Sequence, residues 1–258
     1  MATDTTLATL ATALADGSVR VVDLTQPLSE STPVLQLPPP FANTPGLSRE
    51  DISRYDDSGP AWAWTTLTLG EHVGTHFDAP VHWITGRDGE DVASVAPAKL
   101  VAPAAVIDKS AEAAQDPNYL LTLADIQAWE NEHGPLPPGG WLFLRTGWDA
   151  RAHDQEAFLN GGQTPGPDAD TARWLAETSA IVGFGVETVG TDAGAAHSFE
   201  PPFPVHHFLL GAGKYGLTQL ANLAELPAQG AIVVVAPLKL VDGTGSPSRV
   251  FALVDSGV

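Results

Sequence analysis

Three histidines and an aspartate crowd into one short run, His72-Val73-Gly74-Thr75-His76-Phe77-Asp78-Ala79-Pro80-Val81-His82-Trp83. Imidazole nitrogen and carboxylate oxygen suit zinc, manganese or iron(II), and two His with one carboxylate leave coordination positions open for water and substrate. An open position separates a catalytic centre from a structural one, which four protein ligands normally close. His72, His76 and Asp78 stand four and two residues apart. The four-residue His spacing also occurs in the helical His-Glu-x-x-His motif, but Gly74, Thr75 and Pro80 oppose a helix here. In a strand, residues 72, 76 and 78 share one face by period-two alternation, and His82 joins them if no bulge intervenes. The cluster predicts a catalytic metal. The plainer alternatives are histidines satisfied locally in core or surface, or a structural metal. Gly74 either lets backbone approach the metal or serves a turn. Thr75 either orients a ligand through its hydroxyl or is only a β-former.

Hydrophobic periodicity supplies the elements around this run. Leu7, Leu10, Ala11 and Leu14 recur at helical spacing, which predicts a helix over Thr5–Asp16 stopped by Gly17, then a strand over Val19–Leu24. Gln26 to Leu47, rich in Pro, Ser and Thr, reads as a long ordered loop. Trp64–Leu69 alternates apolar residues with Thr and predicts a strand ending just before the motif. Leu100–Ile107, Trp141–Arg145, Ile181–Val186 and Val250–Val254 are further strands, and Ala231–Leu238 is nearly all apolar, as in a buried strand. Thr122 with Asp125 approximates a capping box opening a helix to about Glu132. Asp168–Glu177 is a third helix and Leu217–Leu223 a short fourth. Without repeats, linkers or charge blocks, residues 1–258 read as one α/β domain.

Composition narrows the chemistry. Twelve basic against thirty-one acidic residues give a net charge of −19, which repels phosphate backbones and anionic lipid. Nucleic-acid and membrane partners are therefore not expected. The chain has no cysteine, so thiolate metal sites, cysteine nucleophiles and disulfides are excluded, and any metal rests on His, Asp, Glu or water. Met1 to Ala15 lacks the basic start and continuous apolar core of a signal peptide, and no apolar stretch reaches the ~18 residues that span a bilayer. A cytoplasmic protein is the expectation.

The run from His72 to His82 matches His-x-Gly-Thr-His-x-Asp-x-Pro-x-His at every fixed position, and on it the chain resembles the cyclase family, which includes bacterial kynurenine formamidases, isatin hydrolases and relatives acting on lactams. Val21-Val22-Asp23-Leu24-Thr25-Gln26-Pro27-Leu28 looks like that family's opening strand and loop. Asn222-Leu223 with Leu226-Pro227 resembles its late helix, and Ala236-Pro237-Leu238-Lys239 with Gly243-Thr244-Gly245-Ser246-Pro247-Ser248-Arg249 its closing segment. The resemblance implies a swivelling α/β fold with a central barrel-like sheet, assembled as a homodimer or homotetramer. It implies zinc or manganese on His72, His76 and Asp78, with His82 beside the metal in proton transfer. Some formamidases bind a second metal through a later His and a Glu twelve residues on. Here the matching positions are His206 and Thr218, so one divalent ion is expected, although Glu187 and Gln219 offer other oxygens. His206 is then expected at substrate or at the first metal's water, and His207 in a structural role.

The resulting expectation is hydrolysis of a small, aromatic or cyclic amide by water activated at the metal, with His82 carrying the proton. Trp64, Phe77 and Trp83 around the motif and Phe208 beside His206 either face a flat substrate or fill core. Thr75, Glu187, His207, Thr218 and Gln219 are candidates to support the ligands from behind, and Asp192 has either a site role or a structural one. Alternatives are a lactone or ester hydrolase, a dehydratase, and a non-catalytic metal- or ligand-binding member of the same fold. A pure binding site has no need of His82 beside an open position.

Overall fold

A computed structural model describes residues 5–257; Met1 to Asp4, the start of the segment read above as no signal peptide, lie outside the described residues. Helix α1 (Thr6–Asp16) is capped by Thr5, whose hydroxyl accepts from Ala8 N–H, and ends at Gly17 with φ +80°. Strand β1 (Val19–Asp23) follows, and the Pro-rich stretch from Gln26 to Leu47 holds no strand or helix. β2 (Ser48–Arg54), which hydropathy did not signal, pairs antiparallel with β3 (Ala63–Thr68) in a separate ribbon. β4 (His76–Asp78) is three residues long. Then come β5 (Val101–Asp108), α2 (Leu123–His133), β6 (Trp141–Arg145), α3 (Ala169–Glu177), β7 (Gly183–Val186) and β8 (Tyr215–Thr218). β9 (Ala231–Pro237) and β10 (Gly245–Asp255) complete the sheet.

The strands run in the order β1, β10, β9, β5, β6, β7, β8, β4, and β4 pairs back onto β10, so seven strands close a ring with β1 on its margin. β5 to β8 are mutually parallel, and the other pairs are antiparallel. Closure is possible because β10 is eleven residues long: its later part pairs with β1 and β9, its first three residues with β4. Successive side chains point to opposite faces. Ala102, Ala104, Val106, Trp141, Phe143, Leu217, Val233 and Val250 fill one hydrophobic core. Ala105, Ile107, Leu142, Leu144 and Phe184 turn outward, where Ile126 and Trp129 of α2 and Ala172 and Leu175 of α3 cover them.

Both covering helices start where the side chains dictate. Thr122 and Asp125 form a reciprocal capping box on α2, and Asp168 caps α3 by accepting from Thr171 N–H. Two expectations fail. Leu217–Leu223 is no helix: Leu217 and Thr218 extend β8, because pairing on both sides to β7 and β4 outweighs local spacing. Gln219 and Asn222 then adopt φ +53° and +57°, outside helical space. β9 is not buried on both faces either: Ala231, Val233 and Val235 are buried, while Ile232 is exposed. No helix among the described residues is long and apolar enough to cross a membrane.

Candidate metal centre and active site

β4 is the floor of the site. Its residues pair with β8 on one side, His76 opposite Thr218 and Asp78 opposite Gly216, and with β10 on the other, His76 opposite Pro247 and Asp78 opposite Gly245. Alternation sends Phe77 into the barrel core, 5.1 Å from the Tyr215 ring and 6.4 Å from Trp141. His76 and Asp78 face the other way. Two glycines make room for them. A Cβ at Gly216 would lie 2.8 Å from Asp78 Oδ2, and one at Gly245 would lie 2.4 Å from His72 Cε1.

The other two histidines arrive by turns, not by strand periodicity. Gly74 turns the chain at φ +63° between His72 and β4, and His82 sits in a helical turn over Pro80–His82. The single strand face expected for residues 72 to 82 is therefore corrected: only residues 76–78 form a strand. The rings nevertheless converge. His72 Nδ1 lies 2.8 Å from Asp78 Oδ1, His76 Nε2 lies 3.5 Å from the same oxygen, and the His82 ring stacks on His72 at 3.9 Å.

Hydrogen bonds behind the rings decide which nitrogen each presents. Glu71 accepts from the Thr244 hydroxyl at 2.5 Å, so Thr244 Oγ1 accepts in turn from His72 Nε2 at 2.9 Å. That leaves the Nδ1 lone pair of His72 toward Asp78. His76 donates from Nδ1 to the Gly74 carbonyl at 2.7 Å, which frees Nε2. Thr218 Oγ1 lies against the same ring, 3.1 Å from Nε2.

Burial drives the His76 imidazole down to about 4 and His82 to about 3, with Asp78 opposing in both cases, so both rings are neutral near pH 7. Burial alone would raise the Asp78 carboxyl, but its electrostatic interactions with the surrounding histidines, His76 first, outweigh it and hold Asp78 ionised. Neutral imidazoles around a carboxylate are the protonation states that a divalent cation requires. One ligand atom each from His72, Asp78 and His82 falls within 4.8 Å of the others. Ligands at about 2.0–2.2 Å from a shared ion stand at most about 4.4 Å apart, so small side-chain adjustments suffice for these three; His76 lies outside this group of three but brings Nε2 to 3.5 Å from Asp78 Oδ1, so its side chain must shift to join them at an ion.

A second wall faces this cluster. His206 opens a wide helical turn over His206–Leu210, and its ring lies 5.6 Å from His82 and 4.9 Å from Trp83. Trp83 also meets Phe203 edge-on at 5.8 Å. Trp83 and His206 thus face His82, and Thr218 lies against His76.

The remaining candidates make other contacts. Phe77 is core, as above. Phe208 packs on the second core beneath the Arg173 guanidinium, 4.9 Å from its ring centroid. His207 lies against Phe208, and its carbonyl accepts from Thr85. Trp64 is 57% exposed on the β2–β3 ribbon, edge-on to Trp62. Glu187 is buried beyond the end of β7, accepting from Thr146 N–H, Thr146 Oγ1 and Trp148 N–H. Thr75 orients no ligand; its hydroxyl donates to the Gln219 carbonyl and accepts from Gln26 N–H, tying the long loop to the end of β8. Gln219 itself turns its amide toward the Pro33 carbonyl, 3.5 Å away. Glu71 and Thr244 were not foreseen. Thr244 lies far from the motif in sequence, and only strand pairing reveals it.

The family model for putative cyclases matches residues 22–193. An isatin hydrolase of Roseibium aggregatum is 50% identical over 98% of this chain and 99% of its own length. The chain belongs to the cyclase family. Within the cyclases it is also similar to a kynurenine formamidase of Bacillus cereus, at 28% identity over 88% of this chain and 94% of that one. A crystal structure of an isatin hydrolase bound to the product analogue thioisatinate superposes with a TM-score of 0.95, at 49% identity, covering 99% of this cyclase and all of that chain.

Proposed function

We propose that this protein hydrolyses the ring amide of isatin or a closely related aromatic cyclic amide, using one divalent ion, manganese or zinc, on His72, His76 and Asp78. The protein is a hydrolase of C–N bonds other than peptide bonds, the class shared by its relatives. The observation that carries the proposal is the convergence of His72, His76 and His82 on the Asp78 carboxylate inside a fold matched end to end by an isatin hydrolase.

When bound, the ion supplies a Lewis acid and brings water to the hydroxide level near pH 7, from a pKa of ~15.7 to about 7. The remaining work belongs to the side chains. Glu71 and Thr244 keep the proton of His72 on Nε2, and Gly74 keeps that of His76 on Nδ1. Trp83 offers a flat apolar wall for an aromatic ring. His82, neutral and within the cluster, accepts a proton from the attacking water and returns it to the leaving nitrogen. A C–O bond forms, the C–N bond breaks, and the product is a carboxylate with a free amine.

One observation favours a second reading of His82. Its ring offers a ligand atom within the same 4.8 Å cluster as His72 and Asp78, so it would be a ligand rather than a proton carrier. His82→Ala distinguishes them. A variant that keeps its metal and loses turnover has lost a proton carrier; one that loses its metal has lost a ligand.

The test of the whole reading is a substrate panel with metal analysis: isatin, N-formylkynurenine, a bicyclic lactam and an aryl ester. Isatin is the expected best substrate, with one ion per chain. Preferred ester cleavage would favour a lactone or ester hydrolase. Full metal occupancy with no C–N hydrolysis would favour a binding protein. The proposal also includes a cytoplasmic setting and self-association as a homodimer or homotetramer. Ile52, Trp62, Trp64 and Leu67 on the β2–β3 ribbon support the latter, as exposed apolar groups suited to a subunit contact.

A further inference from the structure

We propose that Phe203 is a positioning residue: its ring sets the Trp83 indole as a flat wall, and so makes the site select flat, aromatic cyclic amides over saturated ones. This inference rests on the amide-hydrolase reading above and names what decides its substrate class.

The φ of Phe203 is +54°, in the left-handed region that bulky side chains rarely adopt. Hydrogen bonds on both sides hold it there. Phe203 N–H donates to the Ala196 carbonyl at 2.9 Å, and the Phe203 carbonyl accepts from His207 N–H at 2.8 Å. Just beyond, Asp192 accepts from Val205 N–H at 2.7 Å and from His206 N–H at 3.1 Å, which pins the turn that carries His206. Strain of this kind persists where the surroundings over-determine it, and it gathers at sites that hold ligands. Glycine would take the same backbone freely. The bend alone therefore gives no reason for a phenylalanine, and the reason lies with the ring.

That ring does not serve the core. Phe203 is half-buried and belongs to neither hydrophobic cluster. It meets the Trp83 ring at 5.8 Å and 68°, an edge-to-face pair of the kind that aromatic quadrupoles favour. Two more rings lie against Trp83: His206 at 4.9 Å and His82 at 6.2 Å. Trp83 stands in extended backbone between the short helical turns Pro80–His82 and Ile84–Gly86, and it too belongs to neither cluster, so these rings orient its plane. Phe203 is the one of the three with no titratable or ligating atom. Fixing the indole is the work left to it. An aromatic wall locked before substrate arrives lowers the ordering cost of binding. A flat ring lies along such a wall, whereas a puckered, saturated ring meets it at fewer atoms.

The test pairs binding with turnover in the metal-loaded protein. Calorimetry with oxindole, a flat aromatic lactam, and with its ring-saturated analogue reads the selectivity. The wild type is expected to prefer oxindole. Phe203→Ala and Phe203→Gly are expected to weaken oxindole by about 2–10-fold, the range of a lost aromatic pair, and to leave the saturated lactam unchanged. On isatin both should raise KM by a similar factor at constant kcat, since the donor cluster keeps its own contacts. Phe203→Tyr keeps the ring and should restore wild-type behaviour. Stability should separate the two variants: Phe203→Gly is expected to unfold at higher urea than Phe203→Ala, because only glycine takes φ +54° freely. Equal losses of affinity at unequal stability tie the selectivity to the ring and not to the fold. A wild type with no preference for oxindole overturns the proposal, as does an oxindole affinity that neither variant changes. So does a loss seen in Phe203→Ala and absent in Phe203→Gly, which would make Phe203 a packing residue. A wild type that selects oxindole through Phe203 yet hydrolyses no amide overturns the hydrolase reading instead and leaves the wall in place.

Discussion

His72 reaches the site through a chain of contacts that begins at Glu71 and passes through Thr244. Removing the hydroxyl while keeping the shape tests it. Thr244→Val should weaken metal binding by about 10–100-fold, as outer partners of ligating histidines typically do, read by competition with a chelator of known affinity. The donor cluster itself was legible because three histidines and an aspartate stand close together in the sequence. Their supports were not: Thr244 meets His72 only when β10 closes on β4. Phe77 shows a subtler limit. Its neighbours in sequence are ligands, so it looked like a substrate contact, yet period-two alternation in a three-residue strand turns it into the core.

The strands and turns set how much room the residues have. β4 is wedged between β8 and β10, and Gly216 of β8 faces Asp78 directly. Gly216→Ala should leave circular dichroism unchanged while metal occupancy falls, because the new methyl would stand 2.8 Å from Asp78 Oδ2 and displace that carboxylate. Retained full occupancy would show that β8 can yield. Glu187, which holds the turn after β6, offers a test by pH. Burial and the charge of Asp149 raise its carboxyl from the ordinary 4.5 to about 7, against the three hydrogen bonds it accepts. The folded protein therefore keeps a proton that the unfolded chain has released between those values. The stability from this group is present below about pH 4.5 and is lost as pH rises through about 7. Glu187→Gln should remove that slope, leaving the variant more stable than wild type at pH 8 by up to about 3 kcal/mol, at about 1.4 kcal/mol per pH unit. Urea unfolding at pH 5 and pH 8 measures it. Most elements were legible through capping residues and alternation. Leu217, Leu220 and Leu223 misled because their three-residue spacing imitates a helix; the left-handed backbone at Gln219 and Asn222 depends on contacts that no local pattern encodes.

For the molecule as a whole, the ion and the ribbon make separate demands. Chelation should abolish turnover and lower Tm, and adding back ion should restore both; ion at about 100 times its Kd contributes about 2.7 kcal/mol. At this chain length that corresponds to a shift of about 5–10 °C in a thermal melt. No shift would mean that the site adds nothing to the fold. Trp62→Ser combined with Trp64→Ser should reduce a dimer or tetramer toward the 26.9 kDa monomer in light scattering, with the melt nearly unchanged, since both rings lie outside the barrel. The barrel class was legible only through resemblance. Periodicity announces strands, but a ring is announced by no single segment.

Closure of that ring also orders events at the ribosome. His72, His76, Asp78 and His82 are translated before β8 and β10, the strands that flank β4. Until β10 arrives, His72 has no Thr244 behind it and β4 has an open edge. Until both strands are in place the motif is a scattered set of histidines, with the two sides of β4 unpaired.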